Sequence, residues 1–158
     1  MNSKLNISLV EGCIIYYDGS SNKNKIGGSS AVMYIDGKEI EAKAIHLENV
    51  TNNKAEYTGL FLAVNIAKDN NIKFAKFMGD SLLVTNQMKG EWKTNNKNLL
   101  ESQILIKNLL KSIPLYEFHW IPRELNKRAD QICYAAMKSQ NLGDQFIKPQ
   151  KNFFRPKH

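Results

Sequence analysis

The sequence lacks the features of a disulfide-stabilised or membrane-inserted protein. It has only two cysteines, Cys13 in an apolar strand-like run and Cys133 in the apolar stripe of a helix-like segment, so reduced and buried thiols are expected. The first residues, MNSKLNISLVEG, contain no long apolar stretch, and no other run approaches the length of a transmembrane helix. We therefore expect a cytoplasmic protein that is not inserted in a membrane.

Acidic residues are also in deficit. The 22 Lys and Arg residues outnumber the 15 Asp and Glu residues, giving a net charge of +7, which favours a polyanionic partner such as nucleic acid or an anionic membrane surface. A chain of 158 residues with 42% hydrophobic content can bury one ordinary core. One globular domain is predicted, and a monomer is expected.

The C-terminal segment differs from the rest of the chain. Residues 141–158 carry four cationic residues against Asp144, for a charge of +3, and leave +4 on residues 1–140. They also contain Phe146, Phe153 and Phe154. We predict a domain at 1–140 and a basic aromatic tail at 141–158, which either folds back onto the domain or acts as a nucleic-acid arm.

The hydrophobic pattern predicts a mixed α/β sheet. Strand-like runs occur at residues 12–17, 29–35, 38–47, 72–78 and 116–121. Helical periodicity occurs at residues 51–71, 81–88, 98–113 and 126–138. Asp36-Gly37 separates the second and third strands and predicts a hairpin. Three strands followed by strands alternating with helices indicate a mixed sheet flanked by helices.

Four acidic residues fall where strand ends and sheet-packed helices converge. Asp18 is predicted to end the first strand, and Asp80 follows the fourth, so the two carboxylates can meet at one rim if those strands are neighbours. Glu56 lies on the buried stripe of the first long helix, where a carboxylate is costly without a partner. Asp130 borders the apolar face of the last helix.

Each acid also has an ordinary structural explanation. Glu56 could complete a capping box with Asn53 as the N-cap, and Asp80 could cap the helix that follows it. Asp130 could pair with Lys127. Taken together, however, clustered carboxylates repel one another, and a cation is the usual remedy. Oxygen ligands without a Cys or His cluster favour Mg²⁺ or Mn²⁺ over zinc, and two such ions can activate a water and stabilise the leaving oxygen of a phosphodiester.

The motifs around these acids resemble those of the type 1 ribonucleases H, in the same order. They are YYDGS around Asp18, TNNKAEY around Glu56, GDS around Asp80 and ELNKRAD around Asp130. Over residues 12–138 the resemblance implies a five-stranded mixed sheet, three antiparallel strands and then two parallel ones, flanked by helices. It also implies two-metal hydrolysis of the RNA strand of RNA/DNA hybrids, with the four acids as ligands of Mg²⁺ or its substitute Mn²⁺.

The resemblance also suggests contacts with nucleic acid. Asn52 and Asn53 match the family's minor-groove contact, where amides can read base edges and the ribose 2′-hydroxyl. Further contacts are expected from residues near the acids: Ser20, Asn22, Ser81 and Asn126. Double-stranded RNA is a possible second substrate.

Two features depart from the family pattern. His119 falls inside a strand rather than in the glycine-containing loop where many members have a histidine, so the auxiliary catalytic role is assigned to Arg123. The segment EWKTNNKN is too short for the basic protrusion of some members, so affinity for a hybrid is expected from Lys93, Lys97 or the tail.

The alternative to a nuclease is a non-catalytic module that binds structured nucleic acid. A transposase or integrase relative would carry flanking DNA-binding domains, which the sequence does not indicate.

Overall fold

The computed structural model describes residues 12–139 and the backbone of residues 143–147. The strands are β1 (Cys13–Ser21), β2 (Ile26–Ile35), β3 (Lys38–Glu48), β4 (Phe74–Gly79), β5 (Leu115–Trp120) and β6 (Gly143–Ile147). The helices are α1 (Asn52–Asp69), α2 (Leu82–Met88), α3 (Lys97–Leu110) and α4 (Lys127–Lys138), with a 3₁₀ turn at Arg123–Leu125 before α4.

The strands form one mixed sheet in the order β5-β4-β1-β2-β3-β6. β1, β2 and β3 are antiparallel, whereas β4 and β5 run parallel to β1. This confirms the predicted arrangement of three antiparallel strands followed by two parallel ones.

A sixth strand, β6, pairs antiparallel with β3 and extends that edge of the sheet. It was not predicted, and it lies in the segment assigned to the tail. Residues 1–11, 140–142 and 148–158 lie outside the described residues. The division of the chain at residue 140 therefore stays a prediction.

The turn between β2 and β3 has the backbone that its dipeptide predicts. Asp36 and Gly37 both have positive φ angles, 51° and 81°, which match the right-handed twist of a two-residue hairpin. Ile35 then faces Lys38 as the first pair of the ladder. The predicted hairpin is present.

Helices cover both faces of the central strands. α1 packs on β1 and β2 on one face and also contacts α3, and its predicted apolar stripe, Leu60, Ala63, Val64 and Ala67, is fully buried. α4 covers the opposite face, where Ala129, Ile132 and Ala136 pack against β2 and β3. Because β1 is covered on both sides, any acid on it is taken out of water.

Among the helices that the structure describes, none has the length and apolar character needed to cross a membrane.

Candidate active site

Three of the predicted acids converge at one rim of the sheet. Asp18 lies on β1, Asp80 directly follows β4, and Glu56 lies in the second turn of α1. Each offers one carboxylate oxygen, and these three oxygens lie within 4.8 Å of one another. β1 and β4 are parallel neighbours, which is the condition under which Asp18 and Asp80 were expected to meet.

The position of Asp18 along its strand was predicted wrongly. β1 does not end at Asp18 but continues to Ser21, and Asp18 pairs with Ser30 of β2. On its other side β1 pairs with β4 only as far as Tyr16, opposite Met78. The parallel neighbour therefore stops two residues earlier, which leaves Asp18 at the rim although its own strand continues.

Two glycines bring α1 close enough to β1 for Glu56 to reach Asp18. A β-carbon on Gly19 would overlap the carbonyl of Ala55, and one on Gly59 would overlap the carbonyl of Asp18. In addition, the Ser29 hydroxyl donates a hydrogen bond of 2.6 Å to the Ala55 carbonyl. Side chains at these glycines would push the helix outward and separate the two acids.

The structural explanations for Glu56 and Asp80 do not hold in the fold. The N-cap of α1 is Thr51, whose hydroxyl accepts from the amide of Lys54, so Asn53 does not form a capping box with Glu56. The N-cap of α2 is Ser81 rather than Asp80. Both carboxylates are therefore left facing the cluster without a capping function.

The pKa values of the three clustered carboxyls are raised in the metal-free protein. Burial, followed by the charges of Asp80 and Glu56, raises the pKa of Asp18 to about 9. Burial and then the charge of Asp80 raise the pKa of Glu56 to about 8, although the Arg123 guanidinium opposes this. Burial also raises the pKa of Asp80, against a hydrogen bond from Asn126 and the charge of Arg123. The charge of Arg123 therefore does not return these pKa values to their ordinary range.

Asp130 lies beside this cluster, in the first turn of α4. Asp130 adds to the raised pKa of Asp18, whose largest cause is burial, and the charge of Asp130 raises the pKa of Asp80. Arg123 lies 3.8 Å from Asp130, so the structure pairs Asp130 with Arg123 and not with Lys127 as the structural alternative supposed. Asp130 is more exposed than Asp18, with 42% of its side chain accessible.

The acids open into a small polar cavity of about 220 Å³. Its lining consists of Asp18, Gly19, Ser20, Asn52, Glu56, Asp80 and Arg123. Arg123 therefore lines the same cavity as three of the acids, and its auxiliary catalytic role stays a prediction. His119 does not line this cavity: it lies within β5, as predicted, and its ring nitrogen is 2.7 Å from the Glu117 carboxylate.

The predicted nucleic-acid contacts divide into exposed and buried residues. Asn52 and Asn53 are exposed at the start of α1, where the Asn52 side-chain oxygen accepts from the amide of Ser21. Ser20 lines the cavity. Asn22 is exposed, but its side chain accepts from the amides of Asn24 and Ile26 and so closes the turn between β1 and β2.

Ser81 and Asn126 are buried, at 8% and 1% exposure. Ser81 caps α2, and Asn126 donates to the Tyr17 carbonyl across 2.9 Å. Both side chains are therefore engaged in contacts within the protein. The roles of all six residues in binding nucleic acid stay predictions.

Sequence reasoning missed a buried ion pair that holds α4 against the sheet. Arg128 donates two hydrogen bonds of 3.0 Å to the two carboxylate oxygens of Glu39 on β3, and both residues are buried. Arg128 precedes Asp130 by two residues, so the pair orients the turn that carries that acid. The alternation in KEIEA gave no signal for this pair, because it predicts Ile40 facing inward and Glu39 outward, whereas Ile40 is 38% exposed and Glu39 is 8% exposed.

Comparisons with known proteins show the family to which the chain belongs. A family model described as reverse transcriptase-like matches residues 16–136. Ribonuclease HI of Halobacterium salinarum is 32% identical over 126 residues, which cover 77% of this chain and 62% of that protein. The chain belongs to the type 1 ribonuclease H family. A bifunctional protein of Mycobacterium tuberculosis is 31% identical over 127 residues but is matched over only 35% of its length, so the chain spans part of these curated relatives.

Solved structures of ribonucleases H share the fold. The N-terminal ribonuclease H domain of the M. tuberculosis protein, solved as a fusion with maltose-binding protein, superimposes with a TM-score of 0.77 at 30% identity and covers 79% of this chain and 92% of that one. The H. salinarum ribonuclease H1 structure gives 0.76, also at 30% identity, with 79% and 96% covered. LC11 ribonuclease H1, solved with an RNA/DNA hybrid, gives 0.75 at 29% identity, with 79% and 96% covered.

Proposed function

We propose that this ribonuclease H family member is a metal-dependent endoribonuclease that hydrolyses the RNA strand of RNA/DNA hybrids. The observation that carries the proposal is the convergence of Asp18, Glu56 and Asp80 within 4.8 Å at a rim that is open to solvent. Three acids held so close are costly unless they serve a cation. The hybrid in the LC11 ribonuclease H1 structure supports this substrate class.

The donor set fits Mg²⁺, with Mn²⁺ as a substitute. The cluster offers only carboxylate oxygens, and Asp130 adds a fourth carboxyl beside it. Two bound ions would lower the pKa of an attacking water and stabilise the 3′ oxygen as the P–O3′ bond breaks, so that the products would carry 5′-phosphates and 3′-hydroxyls. The protein's contribution is to hold four carboxylates at one rim, with the more exposed Asp130 on the outer side.

Arg123 is proposed to hold the scissile phosphate. Arg123 lines the acid cavity, its guanidinium lies 3.8 Å from Asp130, and 77% of its side chain is exposed to solvent. A guanidinium can bind two phosphate oxygens at once. Its charge also lowers the pKa of Glu56 and Asp80, which favours the ionised forms that bind cations.

Discrimination of hybrid from DNA is assigned to the start of α1. Asn52 lines the acid cavity, and Asn53 is exposed beside it, one turn before Glu56. Amide side chains can donate to and accept from the ribose 2′-hydroxyl in the wide minor groove of an A-like duplex. Double-stranded RNA displays the same groups and is a second candidate substrate. We expect a monomer that acts in the cytoplasm.

The C-terminal segment is proposed to add affinity through its charge. Its four cations are Lys148, Lys151, Arg155 and Lys157. Changing all four to Gln preserves β6, which a deletion of residues 141–158 would remove from the edge of the sheet. We expect KM for the hybrid to rise and its salt dependence to weaken, with kcat little changed. An unchanged KM would favour the alternative in which the segment only packs on the domain.

One duplex sequence tests the function. It is prepared as end-labelled RNA/DNA hybrid, double-stranded RNA and double-stranded DNA, and incubated with purified protein in Mg²⁺, in Mn²⁺ and in EDTA. Asp80→Asn is the inactive control, since it keeps the size of the side chain. We expect cutting of the RNA strand of the hybrid only when metal is present. Equal cutting of hybrid and double-stranded DNA contradicts the assignment, and binding without cutting in either metal favours the non-catalytic module.

A further inference from the structure

The buried amide of Asn126 contacts the parts of the chain that carry three of the acids. Its Nδ2 donates to the Tyr17 carbonyl across 2.9 Å, on the peptide just before Asp18. The same nitrogen lies 3.5 Å from the carboxylate of Asp80. The backbone carbonyl of Asn126 accepts from the amide of Asp130 across 3.0 Å. One residue thus links β1, the end of β4 and the start of α4.

The amide of Asn126 is suited to make both side-chain contacts. The NH₂ group has two hydrogens, one for a carbonyl and one for a carboxylate. A carboxylate in its place would face two acceptors, and an apolar side chain would leave the Tyr17 carbonyl without this donor. Asn126 is 1% exposed, so solvent does not compete for these contacts.

The opposite end of the amide is also unusual. The Asn126 Oδ1 is buried and has no hydrogen-bond partner within residues 12–139. Buried polar atoms are nearly always satisfied, and the exceptions tend to have a function. The orientation of the amide is therefore determined by what Nδ2 contacts.

We propose that Asn126 is a positioning residue that sets the spacing of Asp18, Asp80 and Asp130 for cation binding. The inference rests on the proposed function only in taking the acids as the metal site. It replaces the expected contact of Asn126 with nucleic acid, because a side chain buried to this extent acts through the acids that it holds. Partners that orient metal ligands typically contribute about 10- to 100-fold to metal affinity or activity.

The chain contains a matched control for this residue. Gln103 on α3 is also a buried amide: its Nε2 donates to the Gln87 carbonyl across 3.0 Å, and its Oε1 likewise lacks a partner in the described part of the chain. Gln103 does not line the acid cavity. Gln103→Leu therefore removes the same kind of hydrogen bond as Asn126→Leu without changing any contact to an acid.

Calorimetric titration of the metal-free full chain with Mn²⁺ tests the proposal, with thermal unfolding and steady-state cleavage of the hybrid measured in parallel. We expect Asn126→Leu to weaken Mn²⁺ binding by about 10- to 100-fold and to lower kcat with little change in KM. Gln103→Leu should retain the wild-type Mn²⁺ affinity and kcat, even if its melting temperature falls as far as that of Asn126→Leu. If Asn126→Leu does not fold, Asn126→Ser is compared with Gln103→Ser, because serine is too short to make both contacts.

The outcomes separate the two proposals. Equal Mn²⁺ affinity for the Asn126 and Gln103 variants overturns the positioning role, even in a protein that cleaves hybrid. A wild-type protein that binds Mn²⁺ but leaves hybrid intact refutes the proposed function, while the comparison of affinities still decides the role of Asn126. A wild-type protein that binds no Mn²⁺ contradicts both.

Discussion

Replacing Asp18 with Asn is expected to stabilise the metal-free protein at neutral pH. Asp18 is 5% exposed and shares its rim with Asp80 and Glu56, and this environment raises the pKa of Asp18 to about 9. In the unfolded chain the carboxyl ionises at its ordinary pKa. Folding at pH 7 therefore requires the carboxyl of Asp18 to take up a proton, which costs free energy that an Asn side chain would not incur.

The size of this effect follows from proton linkage. Each pH unit over which the folded protein keeps a proton that the unfolded chain releases costs the folded state about 1.4 kcal/mol. Between pH 3.8, the ordinary pKa of the carboxyl, and pH 7, protonation of Asp18 lowers the free energy of unfolding by roughly 4 kcal/mol. The loss of stability begins as the pH rises above about 4, where the carboxyl ionises in the unfolded chain. It levels off above about pH 9, where the carboxyl also ionises in the folded protein. Below about pH 4 both states are protonated and the cost disappears.

Urea unfolding in EDTA at several pH values between about 4 and 9 measures this difference. We expect the free energy of unfolding of Asp18→Asn to exceed that of the wild type by about 2–4 kcal/mol at pH 7. Near pH 4 the two free energies should be similar. Asp36→Asn is the matched control, because it makes the same change at an exposed turn residue that already has a positive φ angle. Mg²⁺ should stabilise the wild type more than Asp18→Asn. Parallel pH profiles for wild type and Asp18→Asn would refute the reasoning, since they would mean that Asp18 is ionised in the metal-free fold.

Four other substitutions test the site, two of them in comparison with each other. Asp80→Asn should abolish cleavage of the hybrid, while its affinity for the hybrid, measured by fluorescence anisotropy, should be at least that of the wild type. Substantial turnover at saturating Mg²⁺ would count against Asp80 as a metal ligand. Arg123→Ala should lower kcat more than His119→Ala, because Arg123 lines the acid cavity and His119 does not. The reverse order, with both variants folded, would mean that the phosphate lies nearer to β5. Gly59→Ala should cost about 1–3 kcal/mol in urea unfolding, because its β-carbon would overlap the Asp18 carbonyl; an unchanged stability would show that α1 can shift freely.

The sheet and the four acids could be predicted because the signals that specify them are local. Apolar runs and helical periodicity identified five strands and four helices, and the structure has each of them within a few residues. Asp18, Asp80 and Asp130 were found because each lies at or near a predicted change of element, and Glu56 because it lies on the apolar stripe of its helix. Convergence of Asp18 and Asp80 required one further condition, that β1 and β4 be neighbours, and the parallel crossover through α1 satisfies it.

Other features depend on tertiary contacts that leave no local pattern. The burial of Asn126 follows from the approach of the start of α4 to the Tyr17 carbonyl, which no spacing in ELNKRAD reveals. The segment GDQFI has neither strict alternation nor a continuous apolar run, yet it forms β6, because the free edge of β3 offers unpaired backbone groups. The N-cap at Thr51 was missed because Asn53 is an equally good capping residue and only the backbone decides between them.

The error about the end of β1 explains how the site is built. A strand that stopped at Asp18 would place the carboxylate on a mobile loop, where it would be solvated and its pKa would stay ordinary. Because β1 continues to Ser21 along β2, the backbone of Asp18 is held by a ladder on one side while the end of the β4 ladder leaves room for Asp80 on the other. The rigidity that fixes Asp18 also buries it, and burial is the first cause of its raised pKa. The same burial therefore places a cation ligand precisely and destabilises the metal-free protein. A substitution at Asp18 that removes this destabilisation is expected to weaken cation binding.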